Sequence, residues 1–97
     1  MMSTEKIVSI LKTHRKELEK KFSVNEIGVF GSYVRNEQTR DSDIDILVEF
    51  DRVPGLIGLI TLEETLEKLI GRKIDLVRKG SIRKELKSNI LREVIYI

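Results

Sequence analysis

Phe30-Gly31-Ser32-Tyr33-Val34-Arg35 and, after a polar loop, Asp41-Ser42-Asp43-Ile44-Asp45-Ile46-Leu47-Val48 decide how the rest of the 97-residue chain is read. Residues 43–50 change character with period two, the repeat of a β-strand. Ile44, Ile46 and Val48 then share the core face, and Asp43 and Asp45 share the other. Two carboxylates at i and i+2 on one side of a strand repel each other. Water on an exposed sheet face tolerates such a pair, whereas a divalent cation makes it favourable. Mg²⁺ takes one or two protein carboxylates together with substrate phosphate oxygens and waters.

The upstream stretch strengthens the cation reading. Gly31 falls between a short apolar strand, residues 26–30, and one helical turn, residues 32–35. A missing side chain there lets backbone approach a bulky anion. Ser32 offers a hydroxyl, and the amides that follow open a helical turn, an arrangement that binds anions. Arg35, on the same face of that turn, can reach a phosphate or clamp one of the carboxylates. Gly-Ser between two elements is ordinarily just a turn; it gains weight from the carboxylate pair on the next strand.

Outward from this block the elements alternate. Residues 4–21 place Ile7, Ile10, Leu11, His14 and Leu18 at helical spacing. Pro54-Gly55 marks a turn, and Leu59, Leu62, Leu66, Leu69 and Ile70 predict a second amphipathic helix closed by Gly71. That helix starts either near Leu56 or at Thr61, with Glu64 completing a capping box. Residues 73–78 form a third strand around Ile74, Leu76 and Val77. Gly80-Ser81 opens a last helix bearing Ile82, Leu86 and Ile90, and residues 94–97 pack or pair elsewhere. The order α-β-turn-β-α-β-α predicts one α/β domain, residues 1–97, with a three-stranded sheet. Asp75 interrupts the third strand's apolar run. It is either an ordinary exposed position or the third corner of a carboxylate triad with Asp43 and Asp45, able to complete a second metal position or to take a proton from an attacking hydroxyl.

Composition narrows the chemistry. Lys and Arg number 18 against 16 Asp and Glu, and the signs are interleaved, so no strong nucleic-acid footprint stands out. Stacking platforms need exposed aromatics, and of the five aromatic residues Phe30 and Phe50 are expected in the core. Cysteine is absent, which excludes disulfides and thiol nucleophiles and fits a reducing, cytoplasmic setting. No apolar run approaches a membrane span. The single histidine, His14, reads as a boundary residue of the first helix, and Tyr33 as packing or as a stacking partner for a nucleotide.

Together, Gly31-Ser32, the helical turn with Arg35, Ser42-Asp43-Ile44-Asp45-Ile46-Leu47-Val48 and Gly71-Arg72-Lys73-Ile74-Asp75-Leu76-Val77 resemble the nucleotidyltransferase superfamily, and within it the minimal nucleotidyltransferases. The resemblance covers nearly the whole chain. It implies the nucleotidyltransferase fold, a small three-stranded mixed sheet packed with about four helices, and transfer of a nucleoside monophosphate from ATP with release of pyrophosphate. By position, Gly31, Ser32 and Arg35 would bind the nucleotide. Asp43, Asp45 and Asp75 would be catalytic and would hold Mg²⁺, two ions being implied. One departure stands out: the branch often has Gly after the arginine, where this chain has Asn36, a residue that tolerates left-handed backbone.

A chain of this size has no segment to spare for holding an acceptor. The resemblance therefore implies a protein partner, a helical HEPN-type toxin, with this chain as the antitoxin of a toxin–antitoxin pair that adenylylates a tyrosine of the toxin. The alternatives are a non-catalytic antitoxin that neutralises its partner by contact, with ATP as a structural ligand, and a small nucleic-acid-binding module.

Overall fold

A computed structural model describes residues 2–97. Helix α1 spans Thr4–Phe22; the Ser3 side chain caps it by accepting from the Lys6 amide, and Ser23 ends it in the left-handed region. Strand β1, Val24–Phe30, runs into a single 3-10 turn, Gly31–Tyr33. Strand β2 is Ile44–Phe50, helix α2 Leu56–Ile70, strand β3 Ile74–Arg78, helix α3 Lys84–Glu93 and strand β4 Ile95–Tyr96.

The sheet has the order β3-β2-β1-β4. β1 pairs antiparallel with β2 and β4, while β2 and β3 are parallel, joined by α2 as the crossover. The expected three-stranded sheet is thus extended to four. The tail pairs with the free edge of β1 and satisfies backbone groups that would otherwise be orphaned, and the Ile97 amide adds a bond to the Ile27 carbonyl. Of the four expected helices three are α-helices, and the fourth is the Gly31–Tyr33 turn.

One open boundary is decided and another moves. α2 begins at Leu56, and Thr61 lies inside it, its hydroxyl bonded to the Ile57 carbonyl instead of capping. Gly80 and Ser81 do not open α3: a 3-10 turn, Lys79–Ser81, and the extended Ile82 and Arg83 come first. Gly71 closes α2 with φ 78°, as its position after the last apolar residue predicts.

The core lies on one sheet face. Ile27, Val29, Ile44, Ile46, Val48 and Ile74 meet Ile7, Leu11 and Leu18 of α1 and Leu62, Leu66 and Ile70 of α2. The alternation that sends those residues inward sends Phe30, Asp45 and Leu47 to the opposite face. α3 borders that second face and buries none of its own residues. At its end, Val94 Cγ2 and the Ile95 carbonyl sit so close to Gly28 that a β-carbon there would meet them at 2.7 and 2.9 Å. Gly28 is the gap that lets the chain come back onto β1.

Candidate active site

Asp45 stands at the centre of the second face. Antiparallel register sets it beside Phe30, the last residue of β1, and parallel register sets it beside Asp75. Gly31 follows at once, with φ 81°. A β-carbon on Gly31 would land on Asp45 Oδ2, so the turn needs glycine for both its backbone angle and its space. Asp43 lies one residue before β2, exposed, on the same side as Asp45.

The Asp45 carboxyl is half-buried, and its pKa is raised from 3.8 to about 6. Burial is the largest cause, followed by the Asp75 and Asp43 carboxylates; Arg35 pulls the other way. The structure therefore brings the Asp43, Asp45 and Asp75 side chains near enough to repel. Among the described residues, no group of three or more His, Cys, Asp or Glu side chains is gathered closely enough to hold a metal ion by itself. The donor chemistry still suits a hard cation. These are oxygen ligands only, a half-buried Asp45 repelled by the exposed Asp43 and Asp75, and Mg²⁺ commonly takes one or two carboxylates and completes its shell with phosphates and waters.

Arg35 is exposed at the end of the turn. Its Nε donates to Glu37 Oε1 at 2.8 Å, and its Nη1 donates to both carboxylate oxygens of Glu93, at 3.1 and 3.0 Å. Of the two roles open to it in the sequence, it clamps a carboxylate, but one from α3. The same Glu93 Oε2 accepts the backbone N–H of Gly31. Ser32 is half-buried next to it. Phe30, Gly31, Arg35, Asp45 and Glu93, with Ile90 among the α3 residues, line a cavity of about 580 Å³, within the usual range for small-molecule sites.

Glu93 is the residue that sequence reasoning missed. It is one acid among many on a charged helix, 62 positions from Gly31, and carries no motif. Tyr33 is 2% exposed and belongs to the core, so it packs and does not stack on a ligand. Its backbone carbonyl accepts from the Thr4 hydroxyl at 2.7 Å, which pins the turn to the start of α1. Asn36 adopts φ 59°, the left-handed geometry for which glycine would be the usual choice. His14 is a boundary residue paired with Glu17.

The pattern shared by this site and the sequence is matched by a family model for the nucleotidyltransferase domain over residues 11–97. This chain belongs to the nucleotidyltransferase family. Within the family, it is 53% identical over 97 residues to the protein adenylyltransferase MntA of Thermococcus cleftensis, covering 100% of this chain and 98% of that one. A solved structure provisionally described as a minimal nucleotidyltransferase superposes with a TM-score of 0.81 at 30% identity, over 97% of this chain and 95% of the other. A toxin–antitoxin crystal structure with AMP-PNP matches with a TM-score of 0.69 at 25% identity, over 98% of this chain and 72% of that chain. The fold is that of the minimal nucleotidyltransferases, and the chain is a nucleotidyltransferase. No helix of the described residues is long and apolar enough to cross a membrane.

Proposed function

We propose that this nucleotidyltransferase is an Mg²⁺-dependent protein adenylyltransferase, moving AMP from ATP to a tyrosine of a helical HEPN-type toxin and acting as its antitoxin. The observation that carries the reading is Asp45, a half-buried carboxyl raised to about 6 beside Asp75 and Asp43. A protein holds such a repelling cluster at a cost in folding, and a bound cation with a polyphosphate relieves it. The name of the Thermococcus relative supports AMP transfer to protein, and the toxin–antitoxin complex with AMP-PNP supports the nucleotide and a toxin as partner.

In this mechanism the Gly31 turn, the Ser32 hydroxyl and Arg35 hold the triphosphate tail. Asp43, Asp45 and Asp75 would hold the metal, two ions in the fullest form. The chemistry Mg²⁺ would supply there is neutralisation of charge on the phosphates and on the entering and leaving oxygens. The acceptor hydroxyl forms a bond to the α-phosphorus as the bond to the bridging oxygen breaks. Pyrophosphate leaves with the electron pair, and Asp75 would take the hydroxyl proton. The protein's share of the work is positioning and charge compensation, as in phosphoryl transfer generally. The reaction would take place in the cytoplasm, where ATP is at hand.

The test is to incubate the chain with α-labelled ATP, Mg²⁺ and a HEPN-type toxin. Label on a toxin tyrosine, abolished by Asp45→Asn, supports the transferase. Tight binding that silences the toxin without label would instead mark an antitoxin working by contact.

A further inference from the structure

One carboxylate ties together two groups far apart in the chain. Glu93 Oε2 accepts from the Gly31 backbone and from Arg35 Nη1, and Glu93 Oε1 accepts from the same guanidinium. The Glu93 side chain is 19% exposed against 47% for Arg35, so the more buried partner anchors the more exposed one. Charge-assisted bonds of this kind are the stronger class. Glu37, on the far side, holds Arg35 Nε, so the guanidinium is gripped at two edges. Without these contacts an exposed arginine at the end of a turn samples many rotamers, and each one lost on binding weakens the complex.

The geometry points to Glu93 as the positioning residue of the phosphate site: from α3 it fixes the Gly31 turn and aims Arg35, so both meet a polyphosphate already organised. This rests on the proposed function, which places the triphosphate on Gly31, Ser32 and Arg35. The same contact makes α3 a wall of the site, since Ile90 and Glu93 share the cavity with Asp45.

Calorimetry with Mg²⁺ and inorganic tripolyphosphate tests it on the native chain, Glu93→Gln, Glu93→Ala, Arg35→Gln and the Arg35→Gln/Glu93→Ala double variant, with thermal midpoints recorded for each. We expect Glu93→Ala to weaken tripolyphosphate about tenfold, the scale of one charge-assisted contact. Glu93→Gln should fall in between, because its amide oxygen still accepts from Gly31 but has lost the charge that holds Arg35. The losses from Arg35→Gln and Glu93→Ala should combine to less than their product, the mark of a shared interaction. Glu93→Gln carries the test if Glu93→Ala does not fold. Unchanged or tighter binding in the Glu93 variants, as when the carboxylate merely occupies the anion site, overturns this inference alone, and so do fully multiplicative losses. A native chain that takes up no Mg²⁺-dependent tripolyphosphate overturns the proposed function and this inference with it.

Discussion

At Asp45, folding and the proposed catalytic role pull in opposite directions. Burial and the neighbouring Asp75 and Asp43 raise its pKa from 3.8 to about 6, so the ionised form is disfavoured in the folded protein. Below the unfolded value both states are protonated and no penalty exists. The penalty grows between the two values and is complete above the folded one. Asp45→Asn should therefore stabilise the ligand-free chain at neutral pH, by about 1 kcal/mol once solvent screening of a half-exposed group is allowed for. It should also abolish label transfer. A melting curve and the transfer assay, run on one preparation, check both halves; a lower melting temperature would contradict this account of the site. Gly31 shows the reverse balance. Gly31→Ala combines positive φ with a β-carbon on Asp45 Oδ2, and should cost about 1–3 kcal/mol and most nucleotide binding.

Among the elements, β4 and α3 depend on one small residue of β1. Gly28→Val would drive a branched side chain into Val94 and the Ile95 carbonyl. Overpacking of this kind costs roughly 1–3 kcal/mol. Its first effect should be loss of the β1–β4 pairing, and with it the seat of Glu93. Hydrogen exchange should show the Ile97 amide, which bonds to the Ile27 carbonyl, losing protection while the amides between β1 and β2 keep theirs. α1 is held locally instead. Ser3→Ala removes the side chain that accepts from the Lys6 amide and should cost about 1 kcal/mol, read in the melting temperature, with no change in nucleotide affinity.

For the whole molecule, acid acts in two windows of opposite sign. Between neutral pH and the ordinary carboxylate range, protonation of Asp45 relieves repulsion, so the metal-free chain gains stability as pH falls through about 6. The proposed Mg²⁺-dependent ATP binding should fall over the same interval, because the group that would hold the metal is being neutralised. Below the ordinary range a different carboxylate matters. Glu26 is held low chiefly by its bond to Lys79, at 2.9 Å, and that contribution, present at higher pH, is lost as Glu26 protonates. Stability of the free chain should then pass through a maximum on the acid side of neutrality. Thermal melts across pH, with calorimetry beside them, separate the two windows; a free chain whose stability only declines below pH 7 would refute the Asp45 assignment.

Whatever depends on neighbours along the chain was already legible in the order of its residues. Period-two alternation in β2 sends Asp45 away from Ile44 and Ile46 whatever packs around it. The left-handed turns at Gly31 and Asn36 and the cap at Gly71 follow from which residues tolerate positive φ. Tertiary structure alone decided what depends on distant partners. Parallel register makes Asp75 the neighbour of Asp45, a fact no local pattern contains. The pairing of the tail with β1, and the bonds from Glu93 to Gly31 and Arg35, arise because one free sheet edge and one small residue, Gly28, leave a place for the end of the chain. Local steric preference is written residue by residue, whereas burial and charge pairing are settled only when the chain closes on itself.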